Sequence, residues 1–109
     1  MSDKKLLELA AKAAGINLTE AEWHGDGFYW MPLGTRFWNP LTNDADAFQL
    51  MVKIGLRDYC SLEVMTECAQ VTCMEPYEHT EFERHKGDPY ASTRRAIVCA
   101  AAEIGRQMP

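Results

Sequence analysis

Cys68, Cys73, His79 and His85 are the side chains here that suit a transition metal best, and they fall in the spacing C-x4-C-x5-H-x5-H. Two thiolates and two imidazoles make a tetrahedral zinc set, but compact zinc sites bring one cysteine pair within a few residues, and no C-x-x-C occurs. With Cys60 and Cys99 the cysteines number four, irregularly spaced. In a reducing compartment they read as buried free thiols in preference to a zinc centre. His24 and Asp26 flank Gly25 and have the types of a general base and its orienting carboxylate, yet no nucleophile accompanies them. The chain has no G-x-S-x-G, no phosphate-binding glycine loop and no Cys-His protease signature. It therefore reads as noncatalytic, with no cofactor.

Two other groupings suit binding. Trp23, Trp30 and Trp38 lie within sixteen residues, joined by Phe28, Tyr29 and Phe37 and followed closely by Arg36. Such rings can stack on a base or a sugar while the guanidinium meets a phosphate, which makes Trp23, Trp30, Arg36 and Trp38 the candidate ligand site. The competing reading is core padding under a long loop, since aromatics carry large burial energies. From Asp58 to Glu83 there are seven acids and no Lys or Arg. Such a run is either a solvated face or an acidic surface for a basic protein partner, with Glu75, Glu78, Glu81 and Glu83 as the candidate contacts.

The elements that position these residues follow from periodicity. Leu6, Leu9, Ala10 and Ala13 form one face of a first helix stopped by Gly15, with Ile16 as the hydrophobic contact after the stop. Asn43 caps a second, in which Asp44 and Asp46 suit the positive end of the dipole. Its stripe is Ala47, Leu50, Met51 and Ile54, with Asp46, Gln49 and Lys53 opposite and Gly55–Leu56 as its stop. Asp88 and Pro89 open a third helix that buries Ile97, Val98, Ala101, Ile104 and Met108, leaving Ser92, Arg95, Cys99 and Glu103 outside. Its many alanines suit a close approach to a sheet. Arg94 borders the buried face and needs a carboxylate or backbone carbonyls, whereas Arg95 should be solvated.

Between the second and third helices the sequence alternates, with Cys60, Leu62 and Val64 inward on one strand and Ala69, Val71 and Cys73 on the next. A helix through Leu62, Met65 and Ala69 is the alternative. "HTEFERH" suits an edge strand and "GFYWMPLG" one short strand. The expected fold is one α+β domain over residues 1–109, three helices packed on a small, mainly antiparallel sheet.

A length of 109 residues fits one core. A net charge of −5 argues against general nucleic-acid binding, which is driven by Lys and Arg. No run approaches the roughly 20 apolar residues of a membrane span, and the N-terminus reads as an amphipathic helix and not a secretory leader, so a cytoplasmic protein is expected.

"WNPLTNDADAFQLMVKIGL" and "DPYASTRRAIVCAAAEIG" resemble the small phage and prophage proteins grouped as the phage ABA sandwich domain. The resemblance loosely covers most of the chain, with its best part in the last twenty or so residues. The segment from Arg57 to Lys86 does not match, which leaves room there for a distinctive activity. The resemblance implies an α-β-α layered accessory protein of the host-cell cytoplasm and carries over no catalytic residue. The function it suggests is binding of a host or phage protein, with inhibition of a host defence factor as one outcome and nucleotide-like ligand binding by the tryptophan loop as the alternative.

Overall fold

The computed structural model describes residues 1–30 and 36–109. Helix α1 spans Asp3–Ala14, α2 Asp44–Asp58 and α3 Pro89–Gln107. Strands β1 (Ala21–Trp23), β2 (Phe28–Trp30) and β3 (Phe37–Trp38) form one antiparallel sheet. Strands β4 (Cys60–Val64), β5 (Cys68–Cys73) and β6 (His79–Arg84) form a second, also in sequential order. The α+β class is as expected; the separate first sheet is not. Strand β1, with only three residues, and β3, with two, are too short to leave a period in the sequence.

The helix starts follow their capping residues. Ser2 accepts from the Lys5 amide, Asn43 from that of Asp46, and Asp88 from those of Tyr90 and Ala91. Gly15 closes α1 at φ 72°, and the Ile16 amide reaches the Ala11 carbonyl at 2.9 Å, the Schellman arrangement. Helix α2 departs from expectation. It runs through Gly55 to Asp58 and ends where Tyr59 takes φ 52°. Glycine is permitted in a helix, and here it makes room: a methyl group on Gly55 would sit 3.2 Å from the Cys60 carbonyl oxygen as the chain turns back into β4.

Helix α3 is the centre of the molecule. It packs most extensively on α1, then on β5 and β6, then on α2. Enclosed on several sides, it buries Ser92, Ala96, Ile97, Val98, Ala100, Ala101, Ala102, Ile104 and Gly105, a wider arc than one amphipathic stripe. Ser92, expected outside, is therefore inside, and Met108, expected inside, is only half-buried at the fraying end. The small residues serve helix-to-helix contact more than helix-to-sheet contact. On α1 the buried set is Leu6, Leu7, Ala10, Ala11, Ala13 and Ala14, with Leu9 partly covered.

The β4–β5 hairpin has the expected inward residues. Register pairs Cys60 with Cys73, Leu62 with Val71 and Val64 with Ala69, although Val64 lies at the margin and is exposed. The cysteine expectation needs correction: Cys60 and Cys73, directly opposite each other, form a disulfide, and Cys68 and Cys99 are free. Strand register also separates the zinc set. Cys73 pairs with His79 at one end of β5–β6, while Cys68 pairs with Arg84, next to His85, at the other. The two pairs are five residue steps of extended chain apart, roughly 17 Å.

The tightest approach in the core is Gly105 of α3 against the backbone of Leu9 in α1, where an added methyl would overlap the Leu9 carbonyl. Gly105→Ala should destabilise by about 3 kcal/mol by chemical denaturation, despite alanine's better helix propensity. A neutral or stabilising result would mean that α1 and α3 are not in contact there.

Candidate functional site

A groove of about 490 Å³ lies between α2 and α3, with β4 along one side. Asp44, Ala47, Phe48 and Met51 come from α2, Leu62 and Val64 from β4, and Pro89, Tyr90, Thr93, Arg94 and Ile97 from α3. The two helices contribute at matching intervals: Asp44, Ala47, Phe48 and Met51 face Tyr90, Thr93, Arg94 and Ile97, each row spanning two turns. Phe48, Val64 and Tyr90 are 69%, 59% and 70% exposed, so large apolar groups line the mouth as well as the floor. Single exposed hydrophobics are ordinary, but a contiguous set around a concavity marks a binding surface.

Arg94 closes one rim as its position on α3 requires. Its Nε donates to the Leu41 carbonyl and its Nη1 to Asp44 Oδ1, both at 2.7 Å, and its side chain is 17% exposed. Asp44 thus serves the dipole of α2 and the charge of Arg94 together. Asp46 also has two duties: its amide is capped by Asn43, and its carboxylate accepts from the Asn39 amide at 2.9 Å. Arg95 is half-exposed and reaches Glu83 at 3.6 Å.

Beyond the groove lining, His85 ties the turn that follows Val64 to the first turn of α3. Its Nε2 lies 2.9 Å from the Met65 carbonyl, and its Nδ1 meets the buried Ser92 hydroxyl. A carbonyl only accepts, so Nε2 donates to Met65; the single proton of Ser92 Oγ has two acceptors within reach, His85 Nδ1 and the Pro89 carbonyl at 3.1 Å. Serine, histidine and a carbonyl in line have the residue types of a nucleophile, a base and its orienting group. Ser92 is nonetheless buried, and the first amides of α3 are already used by Asp88. The contact joins the β4–β5 turn to the start of α3.

The tryptophan residues divide between core and margin. Trp38 is buried, and Trp23 lies 5.2 Å from the ring of Phe28. Trp30 is half-buried, with the Arg36 guanidinium 4.7 Å above its ring, on a face that a base or sugar would otherwise use. Pairing of Trp23 with Phe28 and of Phe28 with Trp38 sets these rings on the core side of the first sheet. Of the stretch "GFYWMPLG", expected to hold one short strand, Phe28–Trp30 form β2 and residues 31–34 lie outside the described residues.

His24 and Asp26 are directed to different partners. His24 lies 3.4 Å from Glu22 and edge-on to Tyr29, while Asp26 accepts from the Tyr29 hydroxyl at 3.2 Å. The acids of the central segment do not share a face. Glu75 and Glu78 are exposed between β5 and β6, whereas Glu81 and Glu83 are partly buried on the inward side of β6. Burial pushes the Cys99 thiol up to about 11, which leaves it a poor nucleophile near neutrality.

The groove was not foreseen from the sequence. Phe48 lies between the core stripe of α2 and its polar side, and Val52 and Leu56 continue from it at four-residue steps. Phe48, the one member of that second row that lines the groove, was the available signal. Searches of protein-family models, curated proteins and solved structures gave no match to this chain.

Two consequences can be measured. Arg94→Ala removes both anchors of a largely buried charge and leaves the Leu41 carbonyl unpaired; it should cost about 1–3 kcal/mol, and Arg95→Ala no more than about 0.5. Chemical denaturation of the two variants tests this, and equal small losses would refute the clamp. The Glu81 carboxyl is raised by burial, with Glu103 and Glu83 adding to the effect and His79 opposing it. A raised acid favours the protonated native state, so its contribution is full below the ordinary carboxylate range and is lost as pH rises through the raised value. Glu81→Gln should therefore unfold at a higher temperature than wild type at about pH 7 and match it at about pH 3.5.

Proposed function

We propose that this protein is a noncatalytic phage or prophage accessory protein of the host-cell cytoplasm that acts by binding another protein. On this reading the partner is a host or phage protein and inhibition of a host defence factor is the outcome of binding. The observation that carries the binding reading is the α2–α3 groove, whose apolar lining extends to an exposed mouth at Phe48, Val64 and Tyr90. The resemblance of the α2 and α3 segments to the phage ABA sandwich domain supports the accessory role. No group of three or more His, Cys, Asp or Glu among the described residues is arranged to hold a metal. No helix of the described residues is long and apolar enough to cross a membrane.

A groove of this kind accepts an apolar anchor, such as the exposed row of an amphipathic helix, while the Arg94–Asp44 pair supplies polar contacts at the rim. The acidic residues Glu75 and Glu78 stand apart from it and serve, on this reading, to steer a basic partner. Immobilised wild-type protein should retain a stoichiometric partner from host lysate. Tyr90→Glu, at an exposed position, should lose that partner at least tenfold with unchanged circular dichroism. The Glu75→Lys/Glu78→Lys variant should keep the partner at physiological salt but lose the increase in capture seen at low salt. Retention by Tyr90→Glu, or the absence of any partner, would reject the reading.

A further inference from the structure

Phe48, Val52, Leu56 and Tyr59 form a row on the solvent side of α2, respectively 69%, 42%, 80% and 72% exposed. Steps of four residues keep the first three on one side of a helix, and Tyr59, at the left-handed residue that ends α2, prolongs the row. It lies beside the buried stripe of Ala47, Leu50 and Ile54 and shares only Phe48 with the groove. No ionisable residue interrupts it.

We propose that this row is the seat of a second copy of the chain, with the two α2 helices packed antiparallel about a two-fold axis at Val52. The row is self-complementary under that operation: Val52 meets its own copy, Phe48 lies opposite the partner's Leu56, and Leu56 opposite the partner's Phe48. A ridge of four-residue steps on each helix fits the crossing of about −50° at which such ridges interdigitate. Scaled by exposure, the four side chains present roughly 500 Å², on the ~150–250 Å² scale of large side chains. That is about the apolar share of the roughly 800 Å² per partner that a stable interface buries, of which about 65% is apolar in homodimers.

Charge selects the antiparallel direction. Asp44 and Asp46 lie at the start of α2, and Lys53 and Arg57 toward its end, where the last residue, Asp58, is buried away from the row. Antiparallel packing turns each acidic, dipole-positive end toward the basic, dipole-negative half of the other helix, whereas parallel packing sets like against like. At longer range two chains of net charge −5 repel. Salt screens that repulsion without weakening apolar contact, so this dimer tightens as salt is added, opposite to binding of a basic partner.

Sedimentation equilibrium on the full chain tests the proposal. Wild type at tens of micromolar should approach twice the 12.4 kDa of one chain, with a dimer dissociation constant at least threefold lower in 0.5 M than in 0.05 M NaCl. Val52→Glu sets two carboxylates against each other on the axis and should weaken the dimer at least 100-fold while leaving circular dichroism unchanged. Val52→Cys should form an intermolecular disulfide under mild oxidation, and Lys53→Cys, off the row, should not. A wild type that stays at the mass of one chain at both salts overturns the proposal, as does a dimer that Val52→Glu leaves intact. Capture of a lysate partner by the same monomeric protein would then leave the groove reading standing, since Val52 does not line the groove.

Discussion

The close contact of α1 with α3 is the constraint on which the rest of the molecule depends. Both helices bury small groups, Ala10, Ala11, Ala13 and Ala14 on one and Ala100, Ala101 and Gly105 on the other, and Gly105 comes against the Leu9 backbone. Helices that approach this closely gain many weak dispersion contacts and exclude water, but each contact contributes little, so the fit has to be good along the whole length. With α1 on one flank of α3 and β5 and β6 on another, α2 has only a limited part of the central helix to pack against. It buries Ala47, Leu50 and Ile54, packs Met51 partly against the core and leaves Phe48, Val52 and Leu56 outside. The groove is the space left over by that arrangement.

The legible parts of the fold were those with local causes. Ser, Asn and Asp caps, a proline in the first turn and glycine after α1 are decided by a few neighbouring residues, and the helix starts lie where these residues put them. The inward alternation of Cys60, Leu62, Ala69, Val71 and Cys73 was legible for the same reason. What sequence missed depended on distant partners. Ser92 looks like a surface residue until His85 is brought to it, and Gly55 resembles a stop until the chain past Tyr59 passes over it. The disulfide was hidden because thirteen residues of separation carry no sign of cross-strand register, and the expectation of a reducing compartment favoured free thiols.

The candidate site shows the same division. Arg94 was readable, because a long charged side chain three and four positions before Ile97 and Val98 borders the buried face and has to find acceptors. Which acceptors it found, the Leu41 carbonyl and Asp44, depended on how α2 was set against α3. The tryptophans were conspicuous by composition, yet Trp38 went to the core and Trp30 was met by Arg36. Phe48, Val52 and Leu56 were inconspicuous because a helix with two apolar rows looks like one with a single broad row. Only the packing on one side reveals that the other was left open.

The His85 clasp has a consequence for how the groove works. One imidazole holds the Met65 carbonyl, next to Val64 on the β4 side, and the Ser92 hydroxyl, two residues past Tyr90 on the α3 side. The walls that Val64 and Tyr90 belong to are therefore fixed relative to each other before anything enters. Arg94 does the same across the α2 rim. A cleft whose walls are tied together in this way meets its occupant already shaped, so little conformational entropy is lost on docking and no rearrangement delays the encounter. Differences in affinity among occupants should then reside in how long each remains.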